Sequence, residues 1–168
     1  SIVDGLADLG GDIAISNQLG NGGGGFIRRS MWAAGRAYTS FAQSGRTLDG
    51  SSSSNTLLNS MCKYHTHGIQ QLGTNSLDSV TVASQKTRYQ TVWATMKTNM
   101  VGPKQVIQLS LLPKVTSTAG CTTVISQTPT SGFAANDKRD QINSWFRERL
   151  NVDIDALIDI SKAVEDPV

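Results

Sequence analysis

Val82, Tyr89, Val92, Trp93, Met96 and Met100 recur at three-to-four spacing, which lays one apolar face along a single long helix. Such a helix must bury that face, and the segments around it indicate against what. Residues 38–42 form a β-branched and aromatic run, residues 69–72 a short run from Ile69 to Leu72 ended by Gly73, and residues 105–112 a buried-strand candidate ended by Pro113. Residues 152–160 alternate Val152, Ile154 and Ile158 with Asp153, Asp155 and Asp159, as a strand near a sheet edge does. Between these runs lie further helices: a short one over 26–34, one capped from Ser51–Ser54 that carries Leu57, Leu58, Met61 and Cys62, and one capped by Asn136 or Asp137 with Ile142, Trp145, Phe146 and Leu150 inward. A loop of Thr, Ser, Gly and Pro follows Pro113. Repeated strand and helix predicts an α/β fold, a parallel sheet flanked by helices on both faces, whose ligand crevice lies beyond the carboxyl ends of the strands.

Composition narrows the partners. With 168 residues, 38% of them hydrophobic, the chain can bury one core, and residues 1–168 are read as a single domain. Fifteen basic and thirteen acidic side chains give a net charge of +2, too small and scattered to imply a nucleic-acid partner or an electrostatic membrane contact. No apolar stretch is long enough for a membrane span, and the expectation is a soluble protein of unassigned compartment. Cys62 and Cys121 are too few and too far apart for a zinc knuckle or a disulfide framework; free thiols are the default for them, and one bridge between the two is the alternative.

Three segments fall where a strand ends: Ser1-Ile2-Val3-Asp4-Gly5 at the chain start, Ser44-Gly45, and Leu72-Gly73-Thr74-Asn75. In order and spacing they resemble the blocks of the SGNH (GDSL-like) serine hydrolases, which read Gly-Asp-Ser-Ile, then a glycine, then Gly-x-Asn-Asp. The resemblance implies a flavodoxin-like three-layer fold and a serine esterase activity, with removal of O-acetyl groups from carbohydrate as the broadest substrate class. It assigns Ser1 as nucleophile. The amide of Gly45, the side chain of Asn75 and the amide of Ser1 would then donate to the developing oxyanion. No cofactor or metal is called for. Two departures stand out. Ser76 occupies the place of the family's Asp after Asn75, and nothing after Asp159 supplies the Asp-x-x-His block. On this reading a first strand before Ser1 and the triad acid and histidine are absent from these residues, to be supplied by the same chain or a partner.

Other residues carry weaker chemistry. His65 and His67 lie before the 69–72 strand, at the end opposite the expected crevice, too far for a base that must reach the nucleophile. The glycines between Gly20 and Gly25 lack the Gly-Lys-Ser/Thr ending of a phosphate loop, and Asp153, Asp155 and Asp159 suit a half-buried strand better than a cation site. Arg28, Arg29, Arg36 and Arg46 read as solvated surface, and Trp32, Trp93 and Trp145 as core. A non-catalytic binding or structural module on the same scaffold is the alternative, favoured by the missing acid and histidine.

Overall fold

A computed structural model of the chain describes residues 2–4, 30–31, 33–36, 38–40, 47–48, 56–118, 120 and 122–164. Five strands form one parallel sheet: β1 (Ile2–Asp4), β2 (Tyr38–Ser40), β3 (His67–Gln70), β4 (Gln105–Leu109) and, after a separate hairpin, β7 (Ala156–Ile158), in the order β2-β1-β3-β4-β7. The hairpin pairs β5 (Val115–Ser117) antiparallel with β6 (Gln127–Pro129). The helices are α1 (Thr56–Cys62), α2 (Val82–Asn99), α3 (Lys138–Arg149) and α4 (Ile160–Val164), and Ser30, Met31 and Ala33 are helical too.

Both faces of the sheet are covered, as parallel sheets require. Alternation along the strands divides the core in two. Val106 packs with Cys62 of α1, Tyr89, Val92, Trp93 and Met96 of α2, and Ile142, Trp145 and Phe146 of α3. Ile69, Leu109 and Ile107 pack instead with Met31 and with Ile160 of α4. Gly68 brings α2 close, since a Cβ there would lie 2.0 Å from Met96 Cε. The predicted apolar face of α2 is buried apart from half-buried Val82, and its N-terminus is capped by Thr81, whose hydroxyl accepts from Ser84 N at 3.2 Å. In α3 the cap is Asp137, and Leu150, expected inward, is exposed just past the helix end.

Four rings make the centre of the larger core. Trp93 stacks on Tyr89 at 5.7 Å and on Trp145 at 5.3 Å, while Phe146 meets Tyr89 edge-on at 4.8 Å. Trp93 also donates its indole N–H to Gln108 Oε1 at 2.9 Å, which fixes α2 on β4. Trp93 and Trp145 are thus core residues, as expected. The ring of Trp32 lies outside the described residues.

Several sequence expectations are corrected. The chain was expected to lack a first strand, with Ser1-Ile2 following it, yet Ile2–Asp4 is itself the strand between β2 and β3. Three residues with so little flanking context carry no strand signal of their own; pairing on both sides makes them one. The strand read over 105–112 stops at Leu109 because Asn143 of α3 captures both backbone groups of Leu111, its Oδ1 accepting from the amide at 2.8 Å and its Nδ2 donating to the carbonyl at 3.0 Å. The strand read over 152–160 shrinks to Ala156–Ile158, because the amides of Val152, Asp153 and Ile154 all turn back to Arg149 O, with Asn151 at φ 62°. Its acidic alternation has separate causes: Asp153 pairs with Arg149 at 2.6 Å, and Asp155 with Lys97 at 3.2 Å and with the amide of Val106 at 2.7 Å. The Thr-rich stretch after Pro113 holds the β5–β6 hairpin, where a loop was expected.

Cys62 is a buried free thiol whose pKa is pushed up to about 11 by burial, leaving it unreactive; Cys121 lies outside the described residues. Among the described residues no helix is long and apolar enough to cross a membrane. Truncating Phe146 to Ala should destabilise the fold by about 3–5 kcal/mol in urea unfolding, through lost burial and the cavity left among the rings. Ile125→Ala, at a side chain 98% exposed, should change the same midpoint negligibly.

Candidate functional site

The sheet order reverses beside β1: β2 lies on one side of it, β3 and then β4 on the other. A crevice of an open parallel sheet belongs at that switch, beyond the carboxyl ends of β1 and β3. The chain leaving β3 there runs through Gln71, Leu72 and Gly73 into a single 3₁₀ turn, Thr74–Ser76. Asn75 sits on that turn and is exposed.

The turn is held from below by α2. Tyr89 donates its hydroxyl to Leu72 O at 2.6 Å, and Gln85 donates Nε2 to Gly73 O at 3.2 Å. Burial raises the Tyr89 phenol far above its ordinary range, outweighing a hydrogen bond with Gln85, so the hydroxyl remains a proton donor. Gly73 is required here on two counts: its φ is 128°, and a Cβ would stand 1.8 Å from Tyr89 Oη. Ser76 is buried, its Oγ within 3.4 Å of Gly73 O and of Gln85 Oε1. The serine that departs from the family pattern therefore closes the turn from inside. The outcome is a rigid pedestal under one exposed amide side chain.

Of the residues singled out from sequence, Asn75 is described at the crevice end, whereas Ser1 and Gly45 lie outside the described residues, as do Arg28, Arg29, Arg46 and residues 20–25. Arg36 is exposed. His67 opens β3 and His65 precedes it, so both stand at the opposite end of the sheet from Asn75. His67 Nδ1 lies 2.8 Å from Thr66 Oγ1. His65 is 6% exposed, and its buried Nδ1 has no hydrogen-bond partner among the described residues. Burial lowers its pKa from 6.5.

Sequence reasoning passed over two polar features at the crevice end. Gln70 closes β3 fully buried, with neither amide atom hydrogen-bonded among the described residues, beside its register partner Gln108 on β4. Glutamines within two segments read as strands, Gln70 and Gln108, were the available signal. Beyond β4 and β7, Ser110 Oγ accepts from Ser161 N at 2.8 Å, Ser161 Oγ donates to Asp159 at 2.9 Å, and Arg147 donates to Asp159 at 2.9 Å. Burial alone would raise the Asp159 pKa, but the hydrogen bonds from Arg147, Ser161 and Ser110 and the Arg147 charge outweigh it and hold the carboxylate below 3.8. Among the described residues no three His, Cys, Asp or Glu side chains stand together as a metal site.

Tyr89→Phe should cost about 1–3 kcal/mol, because it strands a buried carbonyl, and should raise hydrogen exchange in the turn that bears Asn75. His65 gives a pH dependence whose sign is fixed. A depressed folded-state pKa means that the unfolded chain binds the proton first, so this contribution is whole above about pH 6.5 and is lost as pH falls from there towards the folded pKa. Urea midpoints of His65→Phe should therefore fall less than wild type between pH 7.5 and 5.5; parallel curves would show that His65 does not contribute.

No family model matches the chain, and comparisons with curated proteins and with solved structures find no match either.

Proposed function

We propose that the chain is part of an SGNH-type serine acyl hydrolase acting through an acyl-enzyme, with O-acetylated carbohydrate as its substrate class. The observation that supports this reading is the place of Asn75, exposed on a braced turn beyond β3, at the switch point of a parallel sheet. There its side-chain amide can donate to an ester oxygen as negative charge develops, and a donor that needs no reorganisation stabilises the transition state more than the ground state. In the proposed reaction a serine hydroxyl attacks the ester carbonyl, the alcohol leaves with a proton, and water releases the acid from the acyl-enzyme. Gly45 would supply a second donor and Ser1 the nucleophile.

One observation favours the second reading, a non-catalytic module on this scaffold. Ile2 begins β1 in register with His67, at the end of the sheet away from Asn75, while the crevice end of β1 is Asp4, in register with Ile69. A nucleophile bonded to Ile2 conflicts with that register.

Fluorophosphonate labelling with mapping of the modified residue separates the two readings. A chain extended at both ends should label at one serine and hydrolyse p-nitrophenyl acetate, with Asn75→Ala lowering kcat by about 10²–10³. The 168-residue chain alone should retain only residual hydrolysis, about 10³–10⁴ over water, for want of a base. Absence of any labelled serine in a folded, extended chain would sink the hydrolase reading in favour of the module.

A further inference from the structure

We propose that Lys138 is a positioning residue for the Asn75 turn, acting through the segment that joins this turn to α2; the inference rests on the reading of Asn75 as an oxyanion donor. The Lys138 ammonium donates to three backbone carbonyls of that segment, Leu77 O at 3.2 Å, Asp78 O at 3.2 Å and Val80 O at 2.8 Å. An ammonium has three N–H donors, so the three carbonyls use all of them. The residues involved lie directly between Ser76, which ends the turn, and Thr81, which caps α2. Lys138 thus fastens the segment that follows the turn, beyond Ser76, where the bonds from Tyr89 and Gln85 stop.

The sequence position of this lysine argues that the contact is specific. Lys138 is the first residue of α3, where the positive end of the helix dipole disfavours a cation. A lysine kept there against the local preference gains its compensation elsewhere, and the three carbonyls supply it. Asp137 answers part of the adverse field, accepting from Lys138 N at 2.8 Å and from Gly132 N at 3.0 Å. Through Gly132 the chain returning from the β5–β6 hairpin joins the same junction: Arg139 N donates to Gly132 O at 2.9 Å, and a Cβ on Gly132 would lie 3.4 Å from Leu77 O. Arginine cannot replace the lysine here, because a planar fork does not converge on three carbonyls around one point.

Hydrogen–deuterium exchange over residues 74–80, on the full 168-residue chain and on a chain extended at both ends, tests the proposal. Lys138→Met keeps the aliphatic stem and removes the charge; it should speed exchange over 74–80 by about tenfold or more while α2 and β4 keep their protection. Lys138→Arg should give the same local loss despite its charge, and it serves alone if the Met variant does not fold. Propylammonium added to Lys138→Ala should restore protection, which a purely hydrophobic role of the stem would not allow. In the extended chain kcat should fall with KM unchanged. Unaltered exchange over 74–80 in a folded Lys138→Met chain, or uniform loosening of the whole domain, overturns the proposal. Absence of esterase turnover in the wild-type extended chain would count against the esterase reading alone, since the exchange comparison still decides what Lys138 holds.

Discussion

The hydroxyl of Tyr89 is where core and site depend on one another. Its ring stands among Trp93, Trp145 and Phe146, while its oxygen reaches Leu72 O at 2.6 Å, one residue before the glycine that turns the chain towards Asn75. Packing among aromatic rings leaves little room for adjustment. A hydrogen bond built on such a ring therefore transmits the rigidity of the core directly to the loop above it. Gly73 completes the arrangement, since any side chain there would collide with the same oxygen.

The same economy of contacts decides where the strands end. Ladders continue until some other group takes the backbone donors and acceptors. Beyond β3 that group is Tyr89, beyond β4 it is the Asn143 amide, and before β7 it is the carbonyl of Arg149 gathering three amides. Each strand is accordingly shorter at one end than its apolar run. At the crevice end the two groups that end β3 and β4, Tyr89 and Asn143, come from helices 17 and 32 residues further along the chain, which is how loops there acquire a defined shape without regular structure of their own.

The histidines bear on function mainly through their distance from the crevice. With β3 between them and Asn75, His65 and His67 are separated from it by a strand of about 13 Å. No proton crosses that distance without intermediaries, so neither acts on a group that Asn75 polarises. What His65 does instead belongs to stability: it is a buried imidazole whose Nδ1 has no partner among the described residues, next to the start of β3.

The sequence by itself determined the layered α/β class, the buried face of α2, the inward Ile142, Trp145 and Phe146 of α3, and the position of Asn75 just past a strand. These follow from local periodicity and from punctuation by Gly73, Pro113 and Asp137, which act over a few residues and can be read there. Tertiary structure decided the rest. Ile2–Asp4 became the central strand only because β2 and β3 offer it partners on both sides, and Val152–Asp155 became a turn because Arg149, Lys97 and the Val106 amide claim its polar groups. Likewise Lys138 looks, in sequence, like any surface lysine at a helix start; its three carbonyls come from a segment about sixty residues earlier. Contacts over such separations leave no periodic trace in the chain, because they are set by how the layers dock, and so they become visible only once the layers are in place.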